Sequence, residues 1–336
     1  MLFFFPNSFI LIFTGKLAIP WVELLGEKYY NYKRTKRITK MKANPIFMTL
    51  AFAMLLIVAC KRDNPTHETG FTPDVWGENE YFEASWDDAE KKVVLTRKTA
   101  ETEPVAVTDA DANVTWDAGW YTVSGNVTIS GKVSSNVATH LILQDGATLT
   151  INGDITDLEP LYIYGQAEGT GKLNVTTGPA DNAIFVFSNL EIHGGEITAQ
   201  VTAQSGFQAV WASGIRMFGG KLTATSAGMD GIGFGNNHFT VYGGEVVATS
   251  EYQGFGGIVN GGPTMDQVLR LFGGKVKATG GGYKDDDLKG AGLYCLIKSH
   301  TPGIKFYFSD NNTTWDEGAS YSTSTAAPAN RYAKAE

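Results

Sequence analysis

Cysteine is nearly absent from this chain, which has only Cys60 and Cys295 in 336 residues. Small exported domains that lack a large core rely on several disulfides, so that class of fold is excluded. Helical patterns are also missing, since no stretch of ten or more residues after residue 90 repeats its apolar side chains every 3.6 residues. The abundance of glycine, with 39 residues, and of threonine and valine indicates β structure instead.

Basic patches are scarce once the first 59 residues are set aside. Those residues hold eight of the 27 basic and two of the 35 acidic side chains, which leaves 19 basic and 33 acidic side chains and a balance of −14. A surface this acidic repels the phosphates of DNA and RNA. The sequence therefore predicts no nucleic-acid partner and no patch rich in lysine or arginine.

A long membrane-spanning run is absent as well, because the apolar stretch IFMTLAFAMLLIVA at 46–59 is shorter than the roughly 20 residues that a spanning helix needs. It suits the apolar core of an export signal, and LIVAC at 56–60 resembles a bacterial lipobox. We therefore predict a lipoprotein signal peptide over 41–60, lipidation of Cys60 and a flexible tether over 61–80. Residues 1–40 are interpreted as an over-extended start outside the native product, with a two-helix membrane anchor as the alternative.

One phrase of eleven residues occurs four times, around double glycines that are 25, 24 and 30 residues apart. The copies are LEIHGGEITAQ (190–200), IRMFGGKLTAT (215–225), FTVYGGEVVAT (239–249) and LRLFGGKVKAT (269–279). Repeats this short cannot bury their own apolar side, so they must stack. We predict an all-β fold, a right-handed parallel β-helix with short capping strands at both ends. N-terminal strands or a cap would occupy 81–120, the repeats 121–300 and the C-terminal cap 301–336.

The residue after each glycine corner alternates in charge from repeat to repeat. If the coils stack about 4.8 Å apart, these residues form one outward column in which neighbours attract each other. The alternative is five independent surface residues. We predict a structural charge ladder of Lys172, Glu196, Lys221, Glu245 and Lys275.

Aromatic residues also recur at fixed places, in two outward columns. Stacked rings there would either pack along the flank of the solenoid or offer flat apolar faces to sugar rings. The first column is Tyr164, His193, Phe218, Tyr242 and Phe272, and the second is Phe185, Trp211, Gly233, Val259 and Tyr294. The aromatic members and His193 are the predicted carbohydrate-binding residues.

Catalytic chemistry is not predicted from the side chains present. Glu191 and His193 would make an acid–base pair, but the repeat places no second carboxylate beside them, which favours a ladder residue. Arg216 and Arg270 share a column with Tyr162, Glu191 and Thr240, as an arginine of a polysaccharide lyase would require, yet no aspartate cluster accompanies them. Asp181, Gln208 and Asp230 come closest to such a cluster.

Two further features have simple interpretations. Asp285, Asp286 and Asp287 could hold Ca²⁺ or form a solvated charge run, and the second is favoured because no further ligand pattern surrounds them. Cys295 shares an inward column with Asn260, which indicates a buried thiol. We therefore predict no cofactor.

The phrases GWYTVSGNVTISGKV, LILQDGATLTING and LYIYGQAEGTGKL, with the repeated GGxΦxAT (Φ apolar), resemble the β-helical repeat surface lipoproteins common in Bacteroidetes, often labelled carbohydrate-binding. The likeness covers about 114–297. It implies a non-catalytic, membrane-anchored module for glycan binding or adhesion at the outer membrane or cell surface of a Gram-negative bacterium, and it supplies no site residues. Lys61-Arg62 replaces the acidic run that often follows the lipidated cysteine there. The alternatives are a polysaccharide lyase or glycoside hydrolase on this scaffold, and a purely structural surface protein.

Overall fold

The computed structural model describes residues 75–179, 181–260, 267–282 and 290–336. Within these ranges the chain is all-β and contains no helix. No helix long and apolar enough to cross a membrane occurs in this part of the chain. The segments 1–40 and 41–60, the predicted lipidation site Cys60 and the possible calcium ligands Asp285, Asp286 and Asp287 lie outside the described residues.

The described part of the chain forms 27 strands. The first fourteen are β1 (Glu80–Asp87), β2 (Lys92–Thr99), β3 (Val105–Ala106), β4 (Val114–Trp116), β5 (Trp120–Val123), β6 (Asn126–Ile129), β7 (Val133–Ser135), β8 (Thr139–Leu143), β9 (Thr148–Ile151), β10 (Ile155–Asp157), β11 (Leu161–Gly165), β12 (Lys172–Thr177), β13 (Ile184–Ile192) and β14 (Glu196–Val201). The others are β15 (Val210–Met217), β16 (Lys221–Ser226), β17 (Ile232–Phe234), β18 (Phe239–Val241), β19 (Glu245–Ser250), β20 (Ile258–Asn260), β21 (Val268–Leu271), β22 (Lys275–Thr279), β23 (Leu293–Tyr294), β24 (Leu296–Ser299), β25 (Phe306–Ser309), β26 (Thr325–Ala326) and β27 (Tyr332–Ala335).

Parallel pairing between successive coils builds a three-sided solenoid, which confirms the predicted parallel β-helix. The charge face consists of β6, β9, β12, β14, β16, β19 and β22. The aromatic face consists of β3, β5, β8, β11, β18, β21, β24 and the C-terminal halves of β13 and β15. The third face consists of β4, β7, β10, β17, β20, β23 and the N-terminal halves of β13 and β15.

Alternation along each strand sends every second side chain into the solenoid, as the sequence pattern predicts. On the charge face Leu173, Ile197, Leu222 and Val246 follow one another in register, and all are buried. Full burial of such a side chain contributes about 1.5–3 kcal/mol. Because each coil supplies only a few inward residues, the stability of any coil depends on its neighbours.

The double glycines form the corner between the aromatic face and the charge face. The second glycine of each pair has a left-handed backbone, with φ of +73° at Gly220 and +80° at Gly244. A Cβ atom on Gly220 would lie 2.3 Å from the carbonyl oxygen of Gly195 in the previous coil. Both the backbone conformation and the close approach of the coils therefore require glycine.

The two ends of the solenoid are built differently. At the C-terminal end β27 pairs antiparallel with both β22 and β25, and β26 pairs antiparallel with β24, so the parallel stacking stops there. At the N-terminal end β3 and β4 begin the first coil. Before them, β1 and β2 form an antiparallel hairpin that packs along the aromatic face of the solenoid.

Candidate functional site

The predicted charge ladder lies in one outward column of the charge face. Lys172, Glu196, Lys221, Glu245 and Lys275 are direct cross-strand neighbours in that order. Ion pairs join Lys172 to Glu196 at 3.1 Å and Lys221 to Glu245 at 3.4 Å. These side chains are about half exposed, so each pair contributes little stability. The alternating signs place an opposite charge beside every member of the column.

The first aromatic column forms a stacked ladder on the aromatic face. Ring centroids of Tyr164 and His193 are 4.8 Å apart, and those of Phe218 and Tyr242 are 4.7 Å apart. The ladder continues beyond the predicted Phe272 to His300, whose ring stacks on it at 4.2 Å. Each ring therefore has its faces against its neighbours and its edge outward.

The N-terminal hairpin covers this ladder. Tyr81 packs on Tyr164 with centroids 4.3 Å apart, and the amide of Ala84 donates to His193 Nδ1 at 3.0 Å. Tyr164 and His193 are buried as a result. As a correction to the expectation of open ring faces, these two residues have no surface on which a sugar could stack, and Phe218, Tyr242 and Phe272 present only ring edges.

Glu191 and His193 are held by structural contacts. Burial lowers the pKa of His193 to about 4, so its imidazole is neutral near pH 7. Glu191 Oε1 accepts from Arg216 Nη1 at 2.8 Å, while its other oxygen lies 3.9 Å from His193 Nε2. The imidazole of His193 also accepts a hydrogen bond from the hairpin. Its contacts are therefore those of a packed member of the aromatic ladder.

The second aromatic column lies on the third face and is more open. Phe185, Trp211, Gly233, Val259 and Tyr294 are in register there. Phe185 stacks on Trp211 with centroids 4.9 Å apart. A Cβ atom on Gly233 would lie 2.9 Å from Trp211 Cδ1, so the small glycine makes room for the indole. Tyr294 is 55% exposed and, within the described ranges, stacks on no other ring.

A cleft of about 270 Å³ opens beside Val259 and Tyr294 on this face. Its other lining residues are Met229, Asp230, Gly254, Phe255, Gly256 and Ala291. Asp230 is 3% exposed, and burial raises the pKa of its carboxyl group. One carboxylate oxygen accepts from the Gly256 amide at 2.8 Å and the other from Gln208 Nε2 at 3.4 Å. The cleft thus combines an aromatic rim, apolar walls and a fixed polar group.

Sequence reasoning missed two exposed features. Phe187 follows the third-face part of β13 and is 61% exposed, but it lies outside the repeated positions. Lys298 was also missed; it extends the predicted column of Arg216 and Arg270 into a basic row on the aromatic face. Arg216, Thr240, Arg270 and Lys298 are cross-strand neighbours in that order, so their cations come from three separate coils.

The remaining candidates from the sequence are the inward residues Cys295 and Asn260 and a possible metal site. Cys295 is buried, and burial raises the pKa of its thiol to about 12, which makes it unreactive. Asn260 donates to Gln267 Oε1 at 3.1 Å. Among the residues that the structure describes, no group of three or more His, Cys, Asp or Glu side chains is placed to hold a metal ion.

Two accessible surfaces among the described residues are the cleft of the third face and the basic row of the aromatic face. Comparisons of this chain with protein-family models, with curated proteins and with solved structures found no match.

Proposed function

We propose that this chain is a non-catalytic surface lipoprotein that binds glycan through the cleft of its third face. The lipid on Cys60 would hold it at the outer membrane of a Gram-negative bacterium. The observation that carries the proposal is the placement of an exposed tyrosine, Tyr294, at the rim of a cleft that holds the buried carboxylate of Asp230. Binding sites for small ligands typically combine apolar and aromatic walls with a few fixed polar groups.

Each part of the cleft has a role in this proposal. The ring of Tyr294 offers an apolar face to the C–H groups of a sugar, and its hydroxyl offers a hydrogen bond. A carboxylate has about four acceptor positions. Contacts from Gly256, from Gln208 and from its own backbone amide leave about one acceptor position of the Asp230 carboxylate for a sugar hydroxyl.

The scaffold favours such binding because its positions are fixed before the ligand arrives. Asp230 is oriented by two hydrogen bonds, and Tyr294 and Val259 are held by parallel pairing of β20 with β23. A preorganised site loses less conformational entropy on binding than a mobile loop does. The solenoid thus supplies rigidity, and the side chains of three adjacent coils supply recognition.

The test is a glycan array probed with the detergent-solubilised full chain. Tyr294→Ala and Asp230→Asn should each abolish or strongly weaken the binding of the same glycans. Leu95→Ala is the matched control, since Leu95 is 53% exposed but lies on β2 of the hairpin. Absence of any bound glycan, or equal losses in all three variants, would overturn the proposal. Release of unsaturated products from a bound polysaccharide would replace it with a lyase.

A further inference from the structure

The basic row differs in charge order from the rest of the solenoid. On the charge face, signs alternate over five successive coils. On the aromatic face Arg270 and Lys298 are direct cross-strand neighbours, so two cations stand on adjacent coils about 4.8 Å apart. Like charges in directly opposed positions destabilise a sheet. Such an arrangement is stabilised when an anion lies between the two cations.

Arg270 and Lys298 differ from Arg216 in their acidic neighbours. Within the described ranges, no carboxylate lies within 4.0 Å of Arg270 or Lys298. Arg216, by contrast, is neutralised by Glu191 at 2.8 Å. Asp88 on the hairpin is the acidic group near His300, and it is paired with Lys91 at 2.7 Å. In the part of the chain that the structure describes, no ion pair therefore competes with a ligand for the charge of Arg270 and Lys298.

Two imidazoles lie beside these cations. A nitrogen of the Arg270 guanidinium contacts His238 Nε2, and the Val268 amide donates to His238 Nδ1 at 3.0 Å. A guanidinium has five N–H donors, so this contact leaves most of them free for a ligand. Burial lowers the pKa of His300, and the nearby charges of Lys298 and Arg270 lower it further, so the three groups lie close together. A carboxylate or sulfate suits such a set of donors.

The shape of the row indicates an extended ligand. Thr240 stands between Arg216 and Arg270, and because it is only 6% exposed it adds little surface of its own between the two arginines. The four residues from Arg216 to Lys298 follow the axis of the solenoid with one position per coil. The coil spacing of about 4.8 Å is comparable to the length of one hexose in a polysaccharide chain.

We propose that the basic row is a second glycan-binding site, which takes the carboxylate or sulfate groups of an acidic polysaccharide lying along the aromatic face. Arg270 and Lys298 bind one anionic group between them, and Arg216 contacts the chain two coils away. This site is separate from the third-face cleft and does not require it. The chain beyond residue 59 is acidic overall, so attraction of an acidic polymer is confined to the basic row. This attraction weakens steeply with added salt.

The test measures binding of the full chain to polygalacturonate, chondroitin sulfate and unsubstituted dextran by isothermal titration at low salt. We expect binding to one or both acidic polymers and none to dextran, and the two acidic arms distinguish carboxylate from sulfate. Arg270→Gln with Lys298→Gln should weaken acidic-polymer binding roughly tenfold or more. Lys172→Gln with Lys221→Gln removes the same two charges from the charge face and should change it less than about twofold.

The outcomes separate this proposal from the glycan cleft. Tyr294→Ala should leave acidic-polymer binding unchanged, so failure of the cleft and failure of the row are seen in different variants. Thermal unfolding of each variant shows whether it has folded. The proposal is overturned if dextran binds as well as the acidic polymers, if neither acidic polymer binds, or if the charge-face double variant loses as much affinity as the row variant.

Discussion

The indole of Trp86 lies 5.6 Å from the ring of Tyr242 and 5.4 Å from the ring of Phe272. This contact joins β1 to two coils near the C-terminal end of the solenoid. The same strand meets Tyr164 through Tyr81. The hairpin is therefore a strap that crosses several coils, and it connects coils that otherwise contact only their neighbours.

Replacement of Trp86 by alanine should loosen this strap without unfolding the coils. Loss of the partly buried indole removes contacts worth about 1–3 kcal/mol. Hydrogen exchange should accelerate in β1 and β2 and stay slow in β14, β16 and β19. Leu95→Ala on the exposed side of the same hairpin is the control and should change little. Unchanged protection of β1 in Trp86→Ala would show that the indole does not hold the strap.

The coils could be predicted because they are determined by patterns between residues that are close in sequence. Inward positions such as Leu222 follow from alternation, and corners such as Gly220 follow from the repeated glycines. The strap could not be predicted, since Tyr81 and Trp86 belong to no repeat and their partners are set by the docking of the whole hairpin. That docking is also why Tyr164 and His193, predicted as open, are buried.

The basic row illustrates a second limit of sequence reasoning. A search for clustered lysines and arginines examines neighbours along the chain, but Arg270 and Lys298 are brought together by one full coil. The shared column of Arg216 and Arg270 was visible in the repeat. Lys298 was not, because the insertion before it shifts the spacing and the last coil lacks the double glycine. The cleft similarly depends on Asp230, which comes from a connection outside the repeated phrase.

The buried imidazole of His193 should make stability dependent on pH. Its folded pKa, about 4, lies below its usual value of 6.5, so the unfolded chain takes up a proton that the folded chain excludes. Stability is therefore fully present above pH 6.5 and falls as the pH drops toward about 4, by at most on the order of 3 kcal/mol. Below about pH 4 this contribution no longer changes.

His193→Phe keeps a ring in the ladder and removes the titrating group. Urea unfolding across the same pH range should show a smaller loss of stability in the variant than in the parent chain. His140, His238 and His300, whose pKa values burial also lowers, titrate in both proteins and cancel in the comparison. Parallel pH profiles for the two proteins would show that His193 does not carry the effect.

A comparison of two glycines separates the cost of a left-handed backbone from the cost of a clash between a Cβ atom and its neighbours. Gly220 and Gly146 have nearly the same φ, +73° and +75°. A Cβ atom at Gly146 meets nothing within 4 Å, whereas one at Gly220 collides with the backbone of the previous coil. Gly146→Ala should cost about 1–2 kcal/mol for the left-handed conformation alone. Gly220→Ala should cost several kcal/mol more in chemical denaturation, and equal costs would contradict the close stacking of the corners.

Reversal of one rung tests whether the charge ladder acts as a unit. Glu196→Lys removes the ion pair with Lys172 and places three lysines, at 172, 196 and 221, on successive coils. Because the side chains of Lys172 and Glu196 are 49% and 51% exposed, the expected loss is about 1 kcal/mol or less at low salt. Salt near 1 M should remove most of it, since the screening length falls to about 3 Å.

Inversion of all five charges of the ladder is the matched control for Glu196→Lys. This variant contains the same substitution, but its signs again alternate from coil to coil, so like charges no longer meet. We expect its stability in urea unfolding to return to within a few tenths of a kcal/mol of the parent chain. If the five charges were independent, the full inversion would be no more stable than Glu196→Lys. Recovery on inversion therefore measures attraction between coils, which is the property that would favour one register over another during folding.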